Sequence, residues 1–290
     1  MKLLEYLTKS DEVLLLDGGM GTQLDERGAE MGGLACLNYP EDVLAVHRSY
    51  AEQGAMLLIT NTLTMNRVNL EMTGEDVDVR EVNLTGAKLA RQAAVGGQYV
   101  LGDMSTTGQM LEPFGPLTEE DAYTAFKEQA EILAEGGVDG FIIETMYDLK
   151  ETIIAVRACK AAADFPVIAS MTFETLKNGA RTLMGNTAEE CARALTEAGA
   201  DVIGTNCGSL TPMEMAEVVA IMVRSTHVPV AVQPNAGIPR LEGDKAIFEM
   251  TPEDFAAGME ACIQNGARII GGCCGTSPAH THAIKPMTGE

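Results

Sequence analysis

ARIIGGCCGTSPAH, residues 267–280, carries an apolar run into glycines that enclose two adjacent cysteines, Cys273 and Cys274. On a regular strand neighbouring side chains point to opposite faces. Both thiols can therefore face one point only where the strand stops and the backbone turns, and the flanking glycines permit that turn. The stretch reads as the C-terminal end of a buried strand, with chemistry placed at its tip.

Seven runs of the same kind precede it: VLLLDGGM (13–20), AMLLITNT (55–62), QYVLGDM (98–104), GFIIET (140–145), VIASMTF (167–173), DVIGTNC (201–207) and VAVQPNAG (230–237). Continuous hydrophobicity rich in Val, Ile and Leu fits strands buried on both faces, as in a parallel sheet. Helical spacing occupies intervals between them, in EDVLAVHRSYAEQGA, TEEDAYTAFKEQAEILAEGG, LKETIIAVRACKAA, TAEECARALTEAGA, TPMEMAEVVAIMV and TPEDFAAGMEACIQNGA. Several open with a Thr followed by an acid and close in glycine, the start and stop signals of helices. Eight strand–helix units in 290 residues predict an α/β fold, a (β/α)8 TIM barrel, as a single domain over 1–290. An open doubly wound sheet of eight strands is the structural rival. Residues 104–118 and 235–250 read as longer loops after the third and seventh strands.

Composition narrows the function classes. With 46% hydrophobic and 21% charged residues the chain reads as globular. No apolar run approaches the roughly 18 residues of a membrane helix. A net charge of −22 opposes binding to nucleic acid or to anionic lipid. The start, MKLLEYLTKSDEV, lacks a signal-peptide pattern, so a cytoplasmic setting is expected. Thiols stay reduced there, and seven cysteines then point to metal or catalytic use of some rather than to a disulfide framework.

In a barrel of this kind the C-terminal strand ends converge on the site-bearing face. Those ends carry Asp17, Gly18 and Gly19; Asn61 and Thr62; Asp103; Glu144 and Thr145; Asn206 and Cys207; Asn235; and Cys273 and Cys274. Three thiols from the sixth and eighth strands thus meet at one mouth. Cys36, Cys159, Cys191 and Cys262 fall in a loop or in helices, where a free cysteine acts as a small apolar filler. Three thiolates without an obvious fourth protein ligand describe a Zn2+ site with an open position. A closed Cys3His site completed by His280 or His282 is one alternative, and an oxidised Cys273–Cys274 pair is another. Asp148 is expected to cap the helix after the fourth strand, and His47 and His227 to be packing or surface residues.

The strings DGGMGTQL (17–24), ITNT (59–62), IIETMYD (142–148), TNCG (205–208), QPNAG (233–237) and GGCCGTSPAH (271–280) resemble the homocysteine S-methyltransferase family, in order and over nearly the whole chain. That family includes the N-terminal barrel of cobalamin-dependent methionine synthase, betaine–homocysteine methyltransferase and S-methylmethionine-dependent enzymes. The resemblance implies a zinc-bearing (β/α)8 barrel whose ligands fall on Cys207, Cys273 and Cys274. It also implies acids on Asp17 and Glu144 that bind the ammonium group of homocysteine, backbone contacts to its carboxylate from Gly18 and Thr62, and an Asn before the first ligand at Asn206.

A free thiol has a pKa near 8.5, so coordination to zinc is what makes an acceptor sulfur nucleophilic at neutral pH. The donor is the less legible half. Sixteen residues follow Cys274, which leads to the expectation that folate- and cobalamin-binding domains are absent and that the donor is a methylated corrinoid on a separate protein. A sulfonium such as S-methylmethionine, or a quaternary amine such as betaine, is the alternative. Cationic donors favour aromatic cages, and this chain has no Trp; Tyr147 and Phe173 are the rings that the sequence offers the mouth. Two other classes compete. One is a barrel lyase or isomerase that cradles a phosphate ester on GGCCG. The other is an inactive zinc-binding accessory subunit with four protein ligands.

Overall fold

The computed structural model describes residues 3–9, 12–243 and 245–289. Ten strands occur in chain order: β1 (Leu14–Leu15), β2 (Leu57–Ile59), β3 (Tyr99–Met104), β4 (Gly140–Met146), β5 (Val167–Met171), β6 (Val202–Asn206), β7 (Val230–Gln233), β8 (Arg240–Glu242), β9 (Lys245–Ile247) and β10 (Ile269–Ile270). Eight are parallel, in the order β1-β10-β7-β6-β5-β4-β3-β2. A parallel bridge between Leu16 and Leu57, with the Met56 N–H on the Leu15 carbonyl at 2.9 Å, joins the two ends and closes the ring. The eight strands are those expected from the sequence, and the open-sheet rival falls with the closure.

Helices follow the eight strands in turn. α1 (Leu3–Lys9) comes first, then α2 (Met20–Glu26), α3 (Ala35–Asn38) and α4 (Pro40–Glu52) after β1, and α5 (Arg67–Thr73) and α6 (Val79–Ala93) after β2. Beyond them come α7 (Glu119–Glu135), α8 (Leu149–Ala162), α9 (Ala188–Ala198), α10 (Pro212–Ser225), α11 (Pro252–Gln264) and α12 (Pro278–Ile284). The Thr start signals are caps: Thr118, Thr187, Thr211 and Thr251 each accept a backbone N–H of the first turn, and Glu190 and Glu214 return the bond in capping boxes. Such caps contribute about 1 kcal/mol each. Gly199, with φ 104°, ends α9 in the left-handed conformation that its sequence signal requires. No helix of the described residues is long and apolar enough to cross a membrane.

Alternation along the strands builds the interior. Leu14, Leu57, Leu101, Ile142, Ile168, Val202, Ala231 and Ile269, from all eight strands, belong to one buried cluster that fills the barrel. Each large member adds about 1.5–3 kcal/mol on burial. Leu3 and Leu7 of α1 join that cluster, and Leu3 abuts Gly140 at the start of β4, so α1 plugs the end opposite the strand tips. Further along their strands, Asp103, Glu144, Ser170 and Gln233, two residues on, and Asn206, four residues on from Val202, share this inward direction and are buried. The apolar plug therefore ends in a polar layer.

Helix α6 and the hairpin β8–β9 lie outside the sequence reading, as do the short helices α1, α2, α3 and α5. Helix α6 was not expected, although Val82, Leu89, Ala90 and Ala93 line its buried face; Asn83 and Gly86 lie on that face among them. They face the loop after β2: Asn83 donates to the Met65 carbonyl at 2.7 Å, and a Cβ on Gly86 would lie 2.5 Å from Thr62. The expected loop at 235–250 contains the hairpin β8–β9, most of whose residues are exposed and give no alternating signal.

Candidate metal centre and acceptor pocket

The Sγ atoms of Cys207, Cys273 and Cys274 all lie within 4.8 Å of one another at the barrel mouth. Backbone bonds set them there. The Cys207 N–H donates to the Gln233 carbonyl at 3.1 Å, the Cys273 N–H to Pro234 at 2.8 Å, and Ala236 donates to the Cys274 carbonyl at 2.9 Å. The chain beyond β7 thus holds both cysteine-bearing turns. Cys207 sits at φ 56° and Gly208 at φ 76°, so β6 ends in a left-handed turn that directs the thiol inward. Tetrahedral zinc with Zn–S near 2.3 Å sets sulfurs about 3.8 Å apart, so the trio needs little movement to meet one ion. S–H donors from Cys273 and Cys274 lower the Cys207 thiol to about 3. Donation to Cys207 holds the other two as thiols, Cys274 pushed up to about 12.

Thr276 locks the first strand's loop to the cysteine turn. Its hydroxyl donates to the Cys273 carbonyl at 2.7 Å and accepts the Gly19 N–H at 2.9 Å, while the buried Tyr50 hydroxyl reaches the Gly19 and Thr276 carbonyls at 3.1 Å each. The approach is too close for side chains: a Cβ on Gly19 would lie 2.6 Å from the Cys273 carbonyl oxygen. The motif glycines on both sides are therefore steric necessities.

Beside the sulfurs lies an acidic pocket. Asp17 accepts the Ile59 N–H on Oδ2 at 2.8 Å and leaves Oδ1 buried without a partner. Burial, reinforced by Glu144, pushes its carboxyl well above the usual range. Burial first and Cys207 second raise Glu144 to about 7, against the Gln233 amide that donates to Oε2 at 3.3 Å. Among the described residues neither acid has an ion pair, an arrangement suited to receiving a cation.

Asn206 reaches this pocket but its carboxamide is already engaged. Oδ1 accepts the Thr145 N–H at 2.9 Å and the Ser170 hydroxyl at 2.8 Å, and Nδ2 donates to the Thr145 hydroxyl at 2.8 Å. Thr145 lies at φ 57°, in a register shift of β4 against β5 between Ile143 and Met146. A β-branched residue there is strained. Asn206 thus holds the bulge next to Glu144, and its Nδ2 also lies 3.9 Å from Cys273 Sγ. The Thr62 amide, expected to meet the acceptor carboxylate, donates to the Thr60 carbonyl at 3.0 Å in this structure. Gly18 keeps an amide without an acceptor among the described residues.

The remaining candidates sort by contact. His280 uses both ring nitrogens, on Ser277 and on the Met250 carbonyl at 3.0 Å, and His282 is exposed, so neither completes the sulfur cluster. Cys36, Cys159, Cys191 and Cys262 are fully buried, with thiols raised mainly by burial, Cys36 to about 12. Asp148 caps α8. His47 is wholly buried in α4. Phe173 lies in the core between sheet and helices rather than at the mouth; Tyr147 is half-buried beside the sulfurs. The phosphate cradle is short of free donors, because the amides of Gly271, Gly272, Cys273, Gly275 and Thr276 have acceptors within the protein and, of residues 271–276, Cys274 alone keeps an amide without one among the described residues. Gln233 was missed, although alternation from Ala231 places it inside, and Asp103 was noted at a strand end without a role.

The profile of the homocysteine S-methyltransferase family matches residues 14–288. Methionine synthase of Mycobacterium tuberculosis is 33% identical over 297 residues, covering 95% of this chain and 24% of that protein. The Mycobacterium leprae methionine synthase is 32% identical, with 96% and 24% covered. The chain spans about a quarter of the length of the curated relatives it matches. The metallated crystal structure of Escherichia coli homocysteine methyltransferase MmuM shares the fold, with a TM-score of 0.78 at 22% identity over 96% of this chain and 97% of that one. With the motifs, the closed barrel and the converging thiols in agreement, this chain belongs to the homocysteine S-methyltransferase family.

Proposed function

We propose that this chain, acting as one domain over residues 1–290, is a zinc-dependent enzyme that transfers a methyl group to the thiol of homocysteine to give methionine. The observation that carries the reading is the juxtaposition of three free thiols within 4.8 Å of one another with a buried acidic pocket. Cys207, Cys273 and Cys274 are the proposed ligands, and an all-sulfur donor set of three suits zinc with one position left for a substrate. Zinc held there would supply the Lewis acidity that removes the acceptor's thiol proton at neutral pH.

The chain's own residues set the acceptor's position. Asp17 and Glu144 take its ammonium group by charge-assisted hydrogen bonds, and the Gly18 amide takes its carboxylate. Held at both ends, the sulfur meets the methyl carbon from one direction. A C–S bond forms, the donor–methyl bond breaks, and its electron pair leaves with the donor. Free thiols at the mouth fit a cytoplasmic setting.

The donor is proposed to be a methylated corrinoid on a separate protein. Similarity to methionine synthases supports it, and so does the scarcity of rings at the mouth once Phe173 is placed in the core. A sulfonium such as S-methylmethionine is the second reading, with Tyr147 beside the sulfurs as the ring that would face it. The test is methionine formation by zinc-loaded protein from homocysteine and either methylcobalamin or S-methylmethionine. Methionine from methylcobalamin supports the corrinoid reading, and methionine from S-methylmethionine alone reassigns the donor. No methionine from either, with no binding of homocysteine, overturns the function.

A further inference from the structure

Asp103 belongs to the polar layer inside the barrel, two residues beyond the apolar Leu101. Its backbone is fixed on both sides: its N–H donates to the Thr60 hydroxyl at 2.9 Å, and its carbonyl accepts the Thr62 hydroxyl at 2.8 Å. Its side chain is held less, with the Met104 backbone N–H against the carboxyl. Oδ1 is buried without a hydrogen-bond partner, as are Asp17 Oδ1 and Gln233 Oε1. The three residues are only 5%, 2% and 2% exposed. All three orphaned atoms are acceptors, and none of the carboxylates Asp17, Asp103 and Glu144 has an ion pair among the described residues. Burial, followed by the neighbouring Glu144 and Asp17, pushes the Asp103 carboxyl well up, which places the three acids in one field. Buried acceptors left without donors are costly, and a site that keeps them is built for a donor that arrives.

We propose that Asp103 is a third acceptor-binding carboxylate, which with Asp17 and Gln233 reads the N–H bonds of a primary ammonium group and restricts the pocket to α-amino thiols. The inference rests on the proposed acceptor. Two acids suffice to hold an ammonium group. A third buried acid, with Gln233 Oε1 in the same polar layer, leaves no surface for an uncharged or N-acylated end, whose approach would leave the acceptors unpaired.

The test is isothermal titration calorimetry on zinc-loaded protein, with L-homocysteine and with 4-sulfanylbutanoic acid, the same thiol acid without the amino group. Wild type should prefer homocysteine. Asp103→Asn should weaken homocysteine by about tenfold to a hundredfold and change the desamino thiol less than about twofold, with zinc content and melting temperature retained. Asp103→Ser gives the same comparison if the Asn variant does not fold. Unchanged homocysteine affinity, or an equal loss for both thiols, overturns the role of Asp103 and leaves the acceptor assignment standing. Wild-type protein that binds neither thiol overturns that assignment and this inference with it.

Discussion

Gln233 donates from Nε2 to Glu144 Oε2 at 3.3 Å, while its own carbonyl accepts the Cys207 N–H at 3.1 Å. One residue of β7 thereby fixes the distance between a proposed zinc ligand and the proposed ammonium-binding acid. Glu144→Gln keeps the shape and removes the charge. It should retain zinc and raise the half-saturation for homocysteine by about tenfold to a hundredfold. An unchanged half-saturation would remove Glu144 from the acceptor site.

Cys273→Ser should lose zinc and methyl transfer together, measured by metal analysis beside the methionine assay. A hydroxyl is a poor zinc donor at neutral pH, since only the deprotonated group binds well. Stoichiometric zinc with normal turnover in this variant would refute the ligand assignment.

Asn206 holds Thr145 at φ 57° through two hydrogen bonds, so Asn206→Ala should destabilise the protein by about 2–4 kcal/mol in urea melts. Part of that loss is the release of a strained bulge. Thr145→Gly tolerates the left-handed conformation, so Asn206→Ala should cost at least about 1 kcal/mol less in that background. Strict additivity of the two changes would show that Asn206 does not hold the bulge.

The strands, the barrel and the three thiols were legible in the sequence for the same reason. Parallel strands buried on both faces are continuous apolar runs, and their tips converge whatever the loops do. Helix α6 was legible too, in the spacing of Val82, Leu89, Ala90 and Ala93; Asn83 and Gly86 are buried among them to serve the loop after β2. The hairpin β8–β9 was hidden because exposure removes the alternation. Asn206 and Thr62 were placed correctly at the mouth by the resemblance. Which of their atoms are engaged is decided for Asn206 by Thr145, 61 residues away, and for Thr62 by a tight turn onto Thr60, and no motif records that. Gln233 was legible in principle, two residues past Ala231, but the Pro-Asn-Ala-Gly turn drew attention to Asn235.

His47 is wholly buried and neither ring nitrogen has a partner, so burial lowers its pKa from 6.5 to about 4. Below pH 6.5 the unfolded chain takes up a proton that the folded chain refuses. The stabilising contribution is complete above about pH 6.5 and is lost as the pH falls to about 4, by about 3 kcal/mol. His47→Leu should therefore gain on wild type across that window in urea melts at successive pH values. Parallel stability curves for the two proteins would place His47 in a wetter setting than the fold gives it.

The central claim is that three thiols hold an open metal site that takes the acceptor's sulfur. Zinc-edge X-ray absorption of the purified protein, with and without homocysteine, tests it most directly. The account predicts three sulfurs and one lighter atom around zinc in the free protein, and four sulfurs once homocysteine is added. A protein that binds no zinc, or a zinc shell that homocysteine leaves unchanged, would contradict it.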